Sequence, residues 1–102
     1  MHHCTFDPKR LQHEFSNHAR DFGINETWTK LNADRFQHAI LNHVTDAPAI
    51  MTGTFRGITK VTHHFDPTTR LWVAVDENGQ FVAGWKLSDD QVKYLYMTGN
   101  IQ

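Results

Sequence analysis

The feature that most constrains this chain is a change of hydrophobic period near Pro48. Before it, apolar residues recur at helical spacing; after it, they alternate as in strands. Leu11, Phe15, His18 and Phe22 follow one another at intervals of four, three and four, the stripe of one helix. Pro8 suits its first turn, Asp7 can cap it, and Gly23 ends it. A second helix is expected from about Asn32 to Val44, with Asn32 as cap and Phe36, Ile40, Leu41 and Val44 facing inward. Four strands follow: Ile50 to Phe55, Ile58 to Phe65, Leu71 to Val75 and Phe81 to Lys86. Arg56-Gly57 and Asp66-Pro67-Thr68-Thr69 are turn sequences, and Asn78-Gly79 predicts a type I′ hairpin. Such short connections make neighbours antiparallel. Ser88 with Gln91 forms a capping box for a last helix, with Val92, Leu95 and Tyr96 inward and Gly99 as its stop. The expected class is α+β: two N-terminal helices, a four-stranded antiparallel β-meander and a short C-terminal helix.

At 102 residues, without repeats or linker-like tracts, the chain reads as one domain, residues 1–7 forming a flexible terminus. His2 and His3 carry no functional weight. No apolar run approaches the roughly 20 residues of a membrane helix, and no apolar core of a signal peptide follows the start. Membrane insertion by this domain is therefore not expected. Cys4 is the only cysteine, so an internal disulfide is excluded. The net charge of −1 argues against a globally basic nucleic-acid binder. A local positive sheet surface remains open, because residues 47–72 hold Arg56, Lys60 and Arg70 against Asp66 alone.

The eight histidines invite a metal reading that their spacing does not support. His13 and His18 are five apart, as are His38 and His43, which puts them about 140° apart around a helix. His63 and His64 point to opposite faces of a strand. No zinc-ligand spacing survives, and no cofactor or metal is expected. Nucleophile elbows and phosphate-cradling glycine loops are also absent.

What remains is a histidine in the seam between a helix and an antiparallel sheet, with Thr52, Thr54 and Arg56 on one strand face. Such a grouping suits metal-free RNA cleavage, in which the substrate's own 2′-hydroxyl attacks and leaves a 2′,3′-cyclic phosphate. The protein then needs a proton-transfer group near neutral pH and cations against the phosphoryl charge. The plainer alternative is that His18 is a hydrogen-bonded core residue, Thr54 a strand former, and Trp72 and Trp85 core aromatics.

Several strings bear on that choice. His18-Ala19-Arg20-Asp21-Phe22-Gly23-Ile24 resembles the His-Ala-x-Asp-Phe-Gly-Ile segment of the colicin D ribonuclease domain family. In the same order, Gly53-Thr54-Phe55-Arg56, Phe65-Asp66-Pro67-Thr68-Thr69, Asn78-Gly79-Gln80-Phe81, Gly84-Trp85-Lys86 and Thr98-Gly99-Asn100 are similar to that family's strings. The resemblance covers residues 11 to 100. It implies a toxin of the barnase/EndoU/colicin/RelE group, related to the tips of contact-dependent growth inhibition effectors. It further implies an antibacterial endoribonuclease cutting tRNA in the anticodon loop, carried as the C-terminal tip of a larger delivery protein. The toxin would be secreted or presented at the surface of the producer, act in the target-cell cytoplasm, and be blocked by a cognate immunity protein.

By that resemblance His18 is catalytic and Trp85 functional, with Thr54 and Arg56 as further candidates and Lys60, Arg70 and Lys86 as substrate-binding cations. Two positions depart from the pattern. Phe15, Ser16 and Asn17 stand where the family has lysines before its histidine, and Ala83 stands where it has serine. Phosphate contacts must then come from Arg56, Lys60, Arg70 or Lys86. The alternatives are a non-catalytic RNA- or protein-binding module on the same scaffold, and a general RNase of the barnase type.

Overall fold

A computed structural model describes residues 4–102; His2 and His3 lie outside the described residues. Helix α1 spans Pro8–His18, capped by Asp7, whose carboxylate accepts the Arg10 N–H at 3.0 Å. It tightens into a 3₁₀ turn, Ala19–Phe22, which Gly23 closes at φ 84°. Helix α2 spans Lys30–Asp46 and starts earlier than Asn32. Thr29 is the cap, its hydroxyl accepting the Asn32 N–H at 3.1 Å. Asn32 is buried instead, its amide donating to the Thr27 carbonyl at 2.9 Å. Either residue type can cap a helix, and the one with an inward hydrogen bond to make became the interior residue. Phe36, Ile40 and Val44 are buried as expected, while Leu41 is only half-buried.

The strands are β1 (Ala49–Phe55), β2 (Thr59–Phe65), β3 (Leu71–Asp76) and β4 (Phe81–Lys86). They form the expected antiparallel meander. Ile58 belongs to a turn rather than to β2 and is 86% exposed. The type I′ geometry sits here, at Arg56 (φ 55°) and Gly57 (φ 70°). At Asn78-Gly79 only Gly79 is left-handed. There the Asp76 carboxylate accepts both the Asn78 and Gln80 N–H groups at 2.9 Å and imposes a wider turn.

Helix α3 spans Asp89–Thr98 with the Ser88/Gln91 capping box in place and Gly99 at φ 72°. Leu95 is buried, whereas Tyr96 is 55% exposed and only edges the Phe65 ring. After Gly99 the chain makes a fifth strand, β5 (Asn100–Ile101), parallel to β1, so the sheet order is β4-β3-β2-β1-β5. Gly53 permits this, since a Cβ there would lie 1.9 Å from the Gly99 carbonyl oxygen. Residues 4–7 are also tied down: Thr5 bridges to Gln80, with its N–H donating to the Gly79 carbonyl at 2.8 Å.

Both faces of the sheet carry core residues, though Ile50, Thr52 and Lys60 on β1 and β2 stay exposed. The pairs Ala49–Phe65, Phe65–Trp72 and Trp72–Trp85 run across four strands and place those residues on one face. That face meets α3 through Phe55, Val61, Leu95 and Ile101. The other face, with Val73, Val75 and Phe81, meets Leu11, Phe15, Phe36 and Ile40 of α1 and α2.

Candidate active site

Strand β4 is an edge strand, and its outer hydrogen-bonding groups need cover. They are met in sequence: Phe81 N–H donates to the Thr5 carbonyl at 2.8 Å, and Arg10 Nη1 donates to the Val82 carbonyl at 3.2 Å. Glu14 Oε1 accepts the Gly84 N–H at 3.1 Å, and Asp21 Oδ2 accepts the Lys86 N–H at 3.0 Å. Helix α1 and its 3₁₀ extension therefore lie alongside β4 and run in the same direction. The anchors from Glu14 and Asp21 straddle residue 85. His18, one helical turn beyond Glu14, is set against Trp85: the ring centroids are 4.9 Å apart with planes at 35°.

Trp85 is half-buried and held from three sides. Its ring meets Trp72 edgewise at 4.6 Å and Phe55 at 6.1 Å. Its indole N–H donates to Gln91 Oε1 at 3.4 Å, the same oxygen that accepts the Ser88 N–H in the α3 capping box. The Arg56 guanidinium lies 5.1 Å over the Phe55 ring. A row of ring contacts thus runs His18, Trp85, Phe55, Arg56 across the sheet from β4 to the end of β1, with Phe55 itself buried.

The histidines differ in what they give to the fold. His63 is buried: Nε2–H donates to the Gly99 carbonyl at 2.9 Å while Nδ1 accepts the Trp72 indole N–H at 2.9 Å. Burial pushes its pKa below the ordinary 6.5. His43 donates Nε2–H to the His64 carbonyl at 2.8 Å and is lowered by burial in the same sense. His18 is half-buried, and neither ring nitrogen has a hydrogen-bond partner among the described residues. The core-residue reading therefore describes His63, while the His18 ring is held by its stacking on Trp85 alone among the described ring contacts. Among the described residues no three His, Cys, Asp or Glu side chains converge.

The other expected site residues are scattered. Thr54 is on the sheet face opposite Trp85, and its hydroxyl donates to Asn100 Oδ1 at 2.9 Å. That oxygen also accepts the Gly57 N–H, so Thr54 has a part in joining β1, its turn and β5. Arg56 does not share Thr54's strand face, because the chain has already entered the turn; it reaches the aromatic row instead. Lys60 pairs with Thr54 across the ladder and shares its face. Arg70 is at the opposite end of the sheet from Arg56 and Lys60, and is ion-paired with Asp89. The contiguous positive surface expected from Arg56, Lys60 and Arg70 is therefore not formed: the meander puts successive turns at opposite ends. Lys86 is exposed at the end of β4, next to Trp85.

Sequence reasoning missed Glu14, Asp21 and Gln91, which position the His18–Trp85 pair. A signal was present for the first of them: Arg10 and Glu14 are spaced by four beside the apolar stripe, and four more residues lead to His18 within it.

Comparison with known proteins agrees with this architecture. The profile of the Colicin D family matches residues 10–95. Colicin-D of Escherichia coli is 35% identical over an alignment of 88 residues that covers 83% of this chain and 12% of that protein's length. The chain thus spans about an eighth of that relative. Among solved structures, a ribonuclease from Escherichia coli complexed with its inhibitor protein superposes with a TM-score of 0.73 at 31% identity, covering 89% of this chain and 99% of that one. The chain belongs to the Colicin D family.

Proposed function

We propose that this domain is an antibacterial toxin endoribonuclease that cuts tRNA in the anticodon loop without a metal ion. The carrying observation is the His18 ring, seated on Trp85 with both nitrogens uncommitted. Family membership and the likeness to a ribonuclease support the same reading. In the reaction the substrate 2′-oxygen attacks phosphorus, the 5′-oxygen leaves, and a 2′,3′-cyclic phosphate results. His18 takes the proton from the 2′-hydroxyl or gives one to the departing 5′-oxygen. Trp85 fixes the imidazole and offers a stacking surface for a base. Arg56 and Lys86, one at the end of the aromatic row and the other beside Trp85, meet phosphate charge. The domain is carried by a larger delivery protein, secreted or surface-presented by the producer, and acts in the target-cell cytoplasm. A cognate immunity protein restrains it in the producer.

The test is sequencing of 5′-hydroxyl RNA ends after brief induction, paired with cleavage of purified tRNA in excess chelator. Cuts clustered in anticodon loops that persist in chelator are expected. His18→Ala should stay folded and lose about 10²–10⁴ in rate. A folded His18→Ala domain cutting at the parental rate would refute the assignment. Absence of any cut and of growth arrest would favour a non-catalytic binding module.

A further inference from the structure

The end of α1 carries His18 on one side and borders a hollow on another. This hollow, of about 410 Å³, opens between α1, the 3₁₀ turn and the segment leading to α2, and is lined by Phe15, Asn17, Arg20, Asn25 and Trp28 among others. Its volume falls within the roughly 300–1,000 Å³ of small-ligand sites. Trp28 is 37% exposed and rests edgewise on Phe15, with centroids 5.2 Å apart, so the core supports a ring that faces solvent. The amides of Asn17 and Asn25 can both donate and accept. Glu26 is already engaged by Arg35 at 3.1 Å, and Arg20 has no carboxylate partner among the described residues. The hollow therefore combines an aromatic plate, amide groups and an uncompensated cation, and its Asn17 and Arg20 stand one and two residues from the histidine.

We propose that this hollow is a nucleobase subsite, holding an unstacked base of the RNA whose scissile phosphate lies at His18. Single-stranded RNA is read in this way, by stacking on aromatic and guanidinium planes and by hydrogen bonds to base edges. A strand crossing the end of α1 places a phosphate on the Trp85 side and a neighbouring base on the Trp28 side. The inference rests on the ribonuclease reading and gives it a recognition element.

The experiment uses the His18→Ala domain, so that binding is read without cleavage. The probes are a fluorescein-labelled RNA oligonucleotide of mixed sequence and its fully abasic counterpart, which keeps every phosphate. Base-containing RNA should bind more tightly than abasic RNA, and Trp28→Ala should weaken the former by roughly five- to 150-fold while sparing the latter. Because Trp28 also touches the core, its variant is paired with a melting curve. Arg20→Gln, at an exposed position, serves as a second variant and should weaken binding of base-containing RNA. Equal affinity of both variants and the parent for both RNAs overturns the subsite while leaving RNA binding intact. Failure of the parent to bind either RNA overturns the subsite together with the ribonuclease reading.

Discussion

His63 gives both ring nitrogens to the fold and His18 gives neither, and this difference sets what each should do in solution. Above about pH 6.5, His63 and His43 are neutral in both the folded and the unfolded chain, and neither costs stability. As the pH falls through 6.5 the unfolded chain takes up protons that the buried rings, with pKa values lowered by burial, refuse. Stability should therefore decline from about pH 6.5 downward until the lowered values are reached. Urea midpoints at neutral and mildly acidic pH would show it, and a His63→Asn variant should flatten the slope; a midpoint indifferent to pH would contradict the buried setting. For Trp85, Phe keeps a ring against Trp72 but loses the N–H donated to Gln91. Trp85→Phe should remain folded and cleave more slowly, and lost stability with unchanged cleavage would reduce Trp85 to packing. The sequence singled out His18, but the buried settings of His63 and His43 were not legible in it, because a period places a ring on a face without saying which carbonyl or indole waits there.

At the scale of elements, the bond between α1 and β4 carries the site. Glu14 is 5% exposed, and its carboxylate is the acceptor for the Gly84 N–H. Glu14→Ala leaves that buried donor without a partner, at a cost of about 1–3 kcal/mol. Glu14→Gln retains an acceptor oxygen and should lose clearly less, a comparison that denaturant midpoints decide. The strands and α1 could be read from the sequence because each shows several turns or alternations of its period. The fifth strand could not: Asn100–Ile101 is two residues long and has no period to display. Its presence follows from Gly53, where a missing side chain admits the Gly99 carbonyl. The start of α2 was shifted for a related reason, since two good capping residues lay three apart and only the tertiary contact of Asn32 chose between them.

Across the whole molecule, the charge expected to form one patch is divided between the two ends of the sheet. Arg70 is engaged with Asp89, while Arg56 lies on the aromatic row that begins at His18. An inhibitor that blocks the proposed chemistry directly should therefore cover the His18–Trp85 pair and bring acidic groups to Arg56. Hydrogen exchange on such a complex should slow at the end of α1 and along β4, and Arg56→Ala should weaken association. Protection confined to residues 89–98 would show inhibition from a distance instead.

The clasp between α1 and β4 also bears on how such a domain can diversify. Arg10, Glu14 and Asp21 hold peptide groups of residues 82, 84 and 86, and every residue except proline supplies the same amide. The clasp is thus set by backbone groups of β4, to which the Trp85 side chain adds its own ring contact with His18 at 4.9 Å. Phe81, Val82 and Ala83 are buried, so substitutions there answer to the core, while the clasp itself stays in place. The seating of α1 can thus survive sequence change in the very strand on which it is seated.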